Sequence, residues 1–390
     1  MKKRLALTTV IAACLMLASC KESVKSMSDR VFERARIQYT AINERMAPDS
    51  LPRTWTGEKY VNAGINWWCS GFIAGTYWYV YEYTKDPAME VLARNYTHRL
   101  DGICSKKTHH DIGFQVNCSF GNAYRITGEK EWLEVMEPAA AKLATRFSPT
   151  VKAIKSWYNK KYIYPVIIDN MMNLELLVKG AELFGADSLH NIAMTHANTT
   201  IANHFREDWS TWHLVDYNPE TGEVDHKQTV QGYSDDSAWS RGQAWGLYGY
   251  TMMYSYTKEP AYLEQARHIA DFIIANLPED GIPYWDFNAP ADENGVILRD
   301  ASAGAIMASA FVQLSRLVPE KKLARKYHAV AEKQVRTLAS DEYLAQPGEN
   351  GDFLLKHSVG SLPGNSEVDV PLTYADYYFL EALLRLGDRL

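Results

Sequence analysis

Five times along this chain a strongly apolar, helix-length segment ends in a short polar turn and is followed by an amphipathic segment. This alternation restricts the fold more than any other feature. The turns are Lys85-Asp86-Pro87, Thr127-Gly128-Glu129, Gly185-Ala186-Asp187, Lys258-Glu259-Pro260 and Pro319-Glu320. The segment before each turn is apolar on most faces, as at 245–256 and 301–317, and such a helix needs burial all round. The segment after each turn has an apolar stripe at 3.6-residue spacing and a charged back; Tyr262, Ala266, Ile269, Ala270 and Ile273 form one stripe. Pro87 and Pro260 stand in the first turn of their helices, where a missing N–H costs nothing.

Five hairpins make ten helices. An amphipathic segment at 27–46 precedes them and an apolar one at 373–386 follows. Pairing these two gives twelve, which predicts an all-α fold: an (α/α)6 toroid of six helical hairpins, apolar helices inside and amphipathic ones outside. An open solenoid would need polar capping repeats. The last segment, with Tyr377, Tyr378, Phe379, Leu380, Leu383 and Leu384, is too apolar for a cap. No Pro/Gly/Ser-rich linker interrupts the chain, so a single domain is expected over 27–390. The longest loops, 53–66, 145–163, 208–236, 278–299 and 341–371, are where a ring of this kind carries its chemistry. Small β-hairpins are expected among them. Residues 211–217 and 223–229 flank Asn218-Pro219-Glu220-Thr221-Gly222, and 343–361 is expected to hold another short strand pair.

The N-terminus has the form of an export signal. Lys2, Lys3 and Arg4 precede an apolar stretch from Leu5 to Leu17 that is too short to span a bilayer. Leu17-Ala18-Ser19-Cys20 resembles a bacterial lipobox. Residues 1–19 are therefore expected to be a signal peptide, Cys20 the lipidated residue, and 20–26 a tether holding an exported lipoprotein on the periplasmic or cell-surface side of the envelope. An ordinary signal peptide or a buried helix are the alternatives.

Formal net charge is −6, with 41 basic and 47 acidic residues. Cleavage would remove three cations and leave 38 against 47. A sequence-independent grip on nucleic acid is thereby excluded, and any anion site must be built from local Arg, His and backbone donors. The chain has 11 Trp and 24 Tyr, an excess that suits sugar stacking or a large helical core. Cys69, Cys104 and Cys118 form neither a disulfide framework nor a CxxC metal site. No Walker A, no GxGxxG after a strand and no GxSxG elbow is present.

Three segments carry candidate chemistry, each opening an inner helix. In His109-His110-Asp111-Ile112-Gly113-Phe114, two imidazoles and a carboxylate are adjacent, but no second ligand pair accompanies them, so no metal is expected. Asp111 is either a helix N-cap or a carboxylate aimed into the ring. Ile168-Asp169-Asn170-Met171-Met172-Asn173 repeats that arrangement in the next hairpin, so the two aspartates are placed to share one pocket. Apolar neighbours and a like charge raise a carboxyl pKa, and the helix dipole lowers it; the sequence leaves the balance open. The third segment runs from Tyr233 through Ser237, Trp239 and Arg241 to Trp245. Ser237, Arg241 and Trp245 are spaced to share a helix face. An Arg in a first helical turn opposes the dipole, so it either pairs with Asp235 or Asp236 or meets an anionic substrate. Trp239, Trp245 and Trp68 are either sugar platforms or core rings. His213 and Gln231 bracket the hairpin loop, either solvated or hydrogen-bonded to sugar hydroxyls.

These segments resemble the unsaturated glucuronyl hydrolases of glycoside hydrolase family 88. The resemblance rests on Trp68-Cys69-Ser70-Gly71-Phe72, His109-His110-Asp111-Ile112-Gly113-Phe114, Ile168-Asp169-Asn170-Met171-Met172-Asn173-Leu174, Trp212-His213 with Tyr217-Asn218-Pro219-Glu220-Thr221-Gly222, and Gln231-Gly232-Tyr233-Ser234-Asp235-Asp236-Ser237-Ala238-Trp239 leading into Arg241-Gly242-Gln243-Ala244-Trp245. It implies the same toroid, no cofactor and two essential aspartates. Asp169 would be the acid/base and Asp111 its partner, with contacts to substrate at Trp68, His110, His213, Gln231, Arg241 and Trp245. The implied substrates are lyase-generated oligosaccharides carrying a C4=C5 unsaturated uronate at the non-reducing end, hydrolysed by hydration of the vinyl ether. Some relatives acting on sulfated chains resemble Ser-x-x-Ser-x-Lys near the C-terminus. Here Ser358 and Ser361 keep the serines, and Pro363 replaces the lysine. Chondroitin, hyaluronan and heparin-type disaccharides all stay open. Two rivals are an unsaturated rhamnogalacturonyl hydrolase on the same toroid and a non-catalytic glycan-binding lipoprotein.

Overall fold

The computed structural model describes residues 22–106 and 109–390; the signal segment and Cys20 lie outside the described residues. The helices are α1 (Val24–Arg45), α2 (Phe72–Thr84), α3 (Pro87–His98), α4 (Ile112–Val116), α5 (Asn122–Thr127), α6 (Leu133–Ala144), α7 (Asn170–Phe184), α8 (Asp187–Asn203), α9 (Ser240–Thr257), α10 (Pro260–Asn276), α11 (Ala301–Leu317), α12 (Lys321–Leu338) and α13 (Thr373–Leu386). A π-helical turn, Asn117–Gly121, joins α4 to α5 without a break. Counting that run as one, the described residues form twelve helical rods.

The inner rods are α2, α4–α5, α7, α9, α11 and α13. Each packs on the next, and α13 closes on α2, which makes the ring the apolar segments predict. Their sequences require this position: α2 is buried without interruption from Phe72 to Val80, and α9 from Ser240 to Met253. The outer helices bury one stripe each, such as Tyr262, Gln265, Ala266, Ile269, Ala270 and Ile273 on α10. Two glycines let neighbours approach α7 from both sides. A Cβ on Gly249 of α9 would lie 2.5 Å from the Met171 Cβ, and one on Gly113 of α4 would lie 2.6 Å from the Asn173 Cα. Deeper in the ring, the buried Glu381 of α13 accepts the hydroxyls of Tyr79 from α2, Tyr248 from α9 and Ser309 from α11.

Short antiparallel strands decorate the ring. β1 (Pro52–Trp55) pairs with β2 (Tyr60–Asn62), and β3 (Phe147–Ser148) with β4 (Ala153–Ile154). The hairpin expected around Asn218 is present as β6 (Leu214–Tyr217) and β7 (Val224–Gln228), and β5 (Pro165–Ile167) adds a third strand beside β6. The pair expected inside 343–361 sits further on, as β8 (Ser358–Ser361) with β9 (Ser366–Val370). Within that stretch the ladder is reduced to one bridge, Leu344 to Leu355. The physical reason is that the Leu354 amide and the Ala345 carbonyl, which a longer ladder would pair, are taken by the Asp376 carboxylate and by Arg34.

Candidate active site

Asp111 and Asp169 immediately precede α4 and α7, in the N-cap position, yet neither side chain bonds a helix amide. Capping is therefore not their task. Asp111 is instead held by side chains. Its Oδ2 lies 2.8 Å from His109 Nδ1 and 3.2 Å from His110 Nε2, and its Oδ1 accepts from Asn173 Nδ2 at 3.4 Å. His109 Nε2 faces the Asn66 carbonyl at 2.6 Å. Burial opposes ionisation of Asp111, but the two imidazoles and the Asn173 amide outweigh it and hold the carboxyl at about 2.

Asp169 is the opposite case. Burial raises its pKa first, the Asp111 charge raises it further, and together they reach about 7 against the pull of Arg241, a backbone amide and Trp245. The balance that the sequence leaves open thus falls on the side of burial. The Asp169 Oδ2 has no partner within the protein, and His213 Nε2 stands 3.8 Å from it. His213 Nδ1 accepts the amides of Val230 at 3.0 Å and Gln231 at 3.2 Å. Its proton therefore belongs on Nε2, which also lacks a partner. Burial keeps this imidazole neutral, at about 3. The Trp245 Nε1 is turned toward Asp169 and pulls on its carboxyl without completing a hydrogen bond of normal geometry. Buried polar groups are rarely left unsatisfied; a carboxyl oxygen and two N–H groups left so together mark the place of a polar reactant.

Arg241 is fully buried, and its partners differ from those expected. It pairs with Asp300, just ahead of α11, at 3.1 Å, and not with Asp235 or Asp236. Those two sit in an exposed loop, where the Asp235 carboxylate is occupied by the Thr229 amide. Arg241 also donates to the carbonyls of Val359 and Gly360 in β8 and to Gln231 Oε1 at 2.8 Å. Its guanidinium lies 4.5 Å over the Trp239 ring. Trp239 is itself 3% exposed and packs on His213 at 4.5 Å, so it is a wall behind the site and not an open platform. Trp245 is a core ring against Phe114 and Tyr378 that offers its N–H. Trp68 is a half-buried ring packed against Phe114 and Tyr374.

Ser237 lies ahead of α9, outside the helix face expected for it, and donates to Asp286. Ser358 is buried with an unpaired hydroxyl, whereas Ser361 accepts the Gly364 amide in the turn after β8. Of the expected residues, the structure gathers Asp111, Asp169, His110, His213 and Trp245 around the two carboxyls. Gln231 and Arg241 form the adjoining wall. Asp300, Asn66 and the bridging role of Asn173 escape sequence reasoning, because their partners are 43 to 63 residues away.

A ring of helices that presents a carboxyl held low and a carboxyl pushed up to about 7 at the mouths of neighbouring inner helices is an arrangement suited to a glycoside hydrolase. The chain belongs to glycosyl hydrolase family 88, whose model matches residues 41–383. It is 39% identical to an unsaturated glucuronyl hydrolase of Formosa agariphila, over 99% of this chain and 98% of that one. It is 33% identical to an unsaturated chondroitin disaccharide hydrolase of Streptococcus pneumoniae, over 94% and 92%. The crystal structure of an unsaturated glucuronyl hydrolase specific for heparin superposes with a TM-score of 0.90 at 45% identity, covering 93% of this chain and 98% of that one. A Streptococcus agalactiae mutant enzyme complexed with dGlcA-GalNAc6S superposes at 0.78 with 29% identity, covering 99% and 98%.

Proposed function

We propose that this enzyme releases the C4=C5 unsaturated uronate from the non-reducing end of lyase-generated glycosaminoglycan oligosaccharides by hydrating the vinyl ether. The observation that carries the reading is the buried Asp169 carboxyl, its Oδ2 without a partner and its pKa raised to about 7, beside an Asp111 held at about 2. Asp169 delivers its proton to C4, and the positive charge that develops at C5 is shared with the ring oxygen. Water adds at C5 and returns a proton to the Asp169 carboxylate. The C5 hemiketal opens by breaking its bond to the ring oxygen, leaving a ketone at C5 and a hemiacetal at C1. That hemiacetal expels the next sugar as an alcohol. The neutral His213 and Trp245 N–H groups are placed to hold the water and sugar oxygens near Asp169. An acid that is protonated near the working pH is what this proton transfer needs.

Among these substrates, heparin-type disaccharides are the favoured class. The similar structure at 45% identity is of an enzyme specific for heparin. A panel of unsaturated heparin, chondroitin and hyaluronan disaccharides, followed by loss of enoate absorbance, tests both levels. Turnover in ¹⁸O water should place label at C5 of the uronate, and saturated glucuronides should be inert. Label at the anomeric carbon would instead make the aspartates a conventional two-carboxylate pair. The leader supports export and lipidation at Cys20. Wild-type protein should then fractionate with membranes and a Cys20→Ala variant should not.

A further inference from the structure

We infer that Asn173 is a positioning residue: its amide dictates which nitrogen of His110 carries the proton, and so turns the His110 N–H toward the Asp111 carboxylate. The inference rests on the reading of Asp169 and Asp111 above and deepens it. Asn173 is 1% exposed and stands one helical turn after Asp169 on α7, so one helix carries the acid and the group that orients the acid's partner.

The hydrogen-bond pattern allows one solution. The Phe114 amide, 2.7 Å from Asn173 Oδ1, can only donate, so that atom is the oxygen. The amide nitrogen therefore faces His110 Nδ1 at 3.1 Å and Asp111 Oδ1 at 3.4 Å. An NH₂ group cannot accept, so His110 Nδ1 must be the bare nitrogen and Nε2 the protonated one. Nε2 is the atom 3.2 Å from Asp111 Oδ2. His110 is buried, with a pKa lowered to about 3, so it faces Asp111 as a neutral imidazole with its N–H on Nε2. The rest of the surroundings agree. His109 approaches the same Asp111 oxygen, and Arg146, from the segment just ahead of β3, adds positive charge on the His110 side. Gly113 makes the arrangement possible, because a side chain there would strike Asn173. All Asn173 polar atoms are engaged within the protein, so it acts on the reaction through Asp111.

Two variants and two readouts test this. Asn173→Leu removes both the acceptor and the donor. Asn173→Asp keeps the acceptor for Phe114 and places an oxygen against His110 Nδ1 and Asp111. Ring ¹⁵N spectra of His110 should show a bare Nδ1 and a protonated Nε2 in the wild type. The proton should move to Nδ1, or occupy both nitrogens, in Asn173→Asp. Both variants should lose kcat by on the order of 10- to 100-fold, the usual cost of losing a group that orients a reacting one, with KM little changed. In Asn173→Asp a new acid limb should appear between about pH 4.5 and 7, because two carboxylates so close cannot both ionise readily. A wild-type spectrum with the proton on Nδ1 overturns the inference without touching the assignment of Asp169. So does a folded variant with unchanged kcat and pH profile, provided Asp169→Asn is inactive. An active Asp169→Asn would overturn the parent reading instead, while the spectra still judge Asn173.

Discussion

A raised carboxyl pKa does not by itself define an acid catalyst, and this chain contains the control. Asp376 is also pushed up to about 7 by burial, yet its oxygens accept the Leu354 and Leu355 amides and the Tyr39 hydroxyl. Asp169 has the same elevation and an empty oxygen. Only the second can hand a proton to something outside the protein. Two expectations follow from the protonated form being the active one. kcat/KM should be flat on the acid side of about pH 7 and fall about tenfold per unit above it, as Asp169 ionises; a profile that rises through pH 7–8 would make Asp169 a base in the free enzyme. Asp169→Asn should cost at least roughly 10²–10⁴-fold in kcat and still bind substrate by calorimetry. At this scale the sequence is legible where chemistry is local: each aspartate opens an inner helix, and His213 and Gln231 bracket one loop. It is illegible where a partner comes from another hairpin. The choice between N-cap and reactive carboxyl was decided by His109, Asn173 and Trp245, and only Asp111's histidine neighbours lie beside it in the chain.

Helices of this ring can be read from periodicity because each rod runs about three turns or more past neighbours of fixed polarity. The strands cannot: β1 to β5 have two to four residues each, too few for a period of two to register. They form because loops at the ring's mouth must satisfy their backbone groups, a tertiary demand. Arg241 shows the consequence. Sequence reasoning looked for its partner among nearby aspartates, whereas the guanidinium spans α9, Asp300 ahead of α11, and the β8 carbonyls. It braces the β8–β9 hairpin against the ring. Arg241→Ala should therefore destabilise the fold as well as slow turnover, since it leaves a buried Asp300 without its cation, a loss of about 3–5 kcal/mol. Chemical denaturation reads this directly, and a midpoint equal to wild type with only KM changed would make Arg241 a pure substrate ligand. Gly249→Ala tests the ring's spacing: the added methyl meets the Met171 Cβ two residues after Asp169, so kcat and melting temperature should fall together.

The molecule as a whole couples acid chemistry to acid sensitivity through burial. Among the described residues four histidines are buried with lowered pKa values: His110, His196 and His213 at about 3 and His204 at about 4. Burial is the first cause in each case. Geometry reinforces it at His196 on α8, whose Nδ1 accepts the Ile154 amide and would have to release it on protonation. Two aspartates, Asp169 and Asp376, are raised to about 7. Between about pH 6.5 and 4 the unfolded chain therefore takes up four imidazole protons that the folded chain refuses. Over the same range the folded chain keeps two carboxyl protons that the unfolded chain has lost. The unfolded state binds more protons, so stability must fall as pH falls through this window. The slope is about 1–3 kcal/mol per pH unit for a net uptake of one to two protons, the upward shift at His109 working the other way. Between about pH 7 and 8 the last imidazole protons of the unfolded chain and the last Asp169 and Asp376 protons of the folded chain nearly cancel, so the contribution levels off. The expected result is a melting temperature that is constant from pH 7 to 8 and drops by about 5 °C or more between pH 6 and 4.5, measured by scanning calorimetry. A melting temperature that holds steady or climbs toward pH 4.5 would mean that the buried imidazoles are charged in the folded protein, and with them the neutral donors assigned to His110 and His213 would fall. The useful pH range is then bounded from both sides by one cause: burial protonates Asp169 below about 7 and, through the histidines, weakens the ring a few units lower.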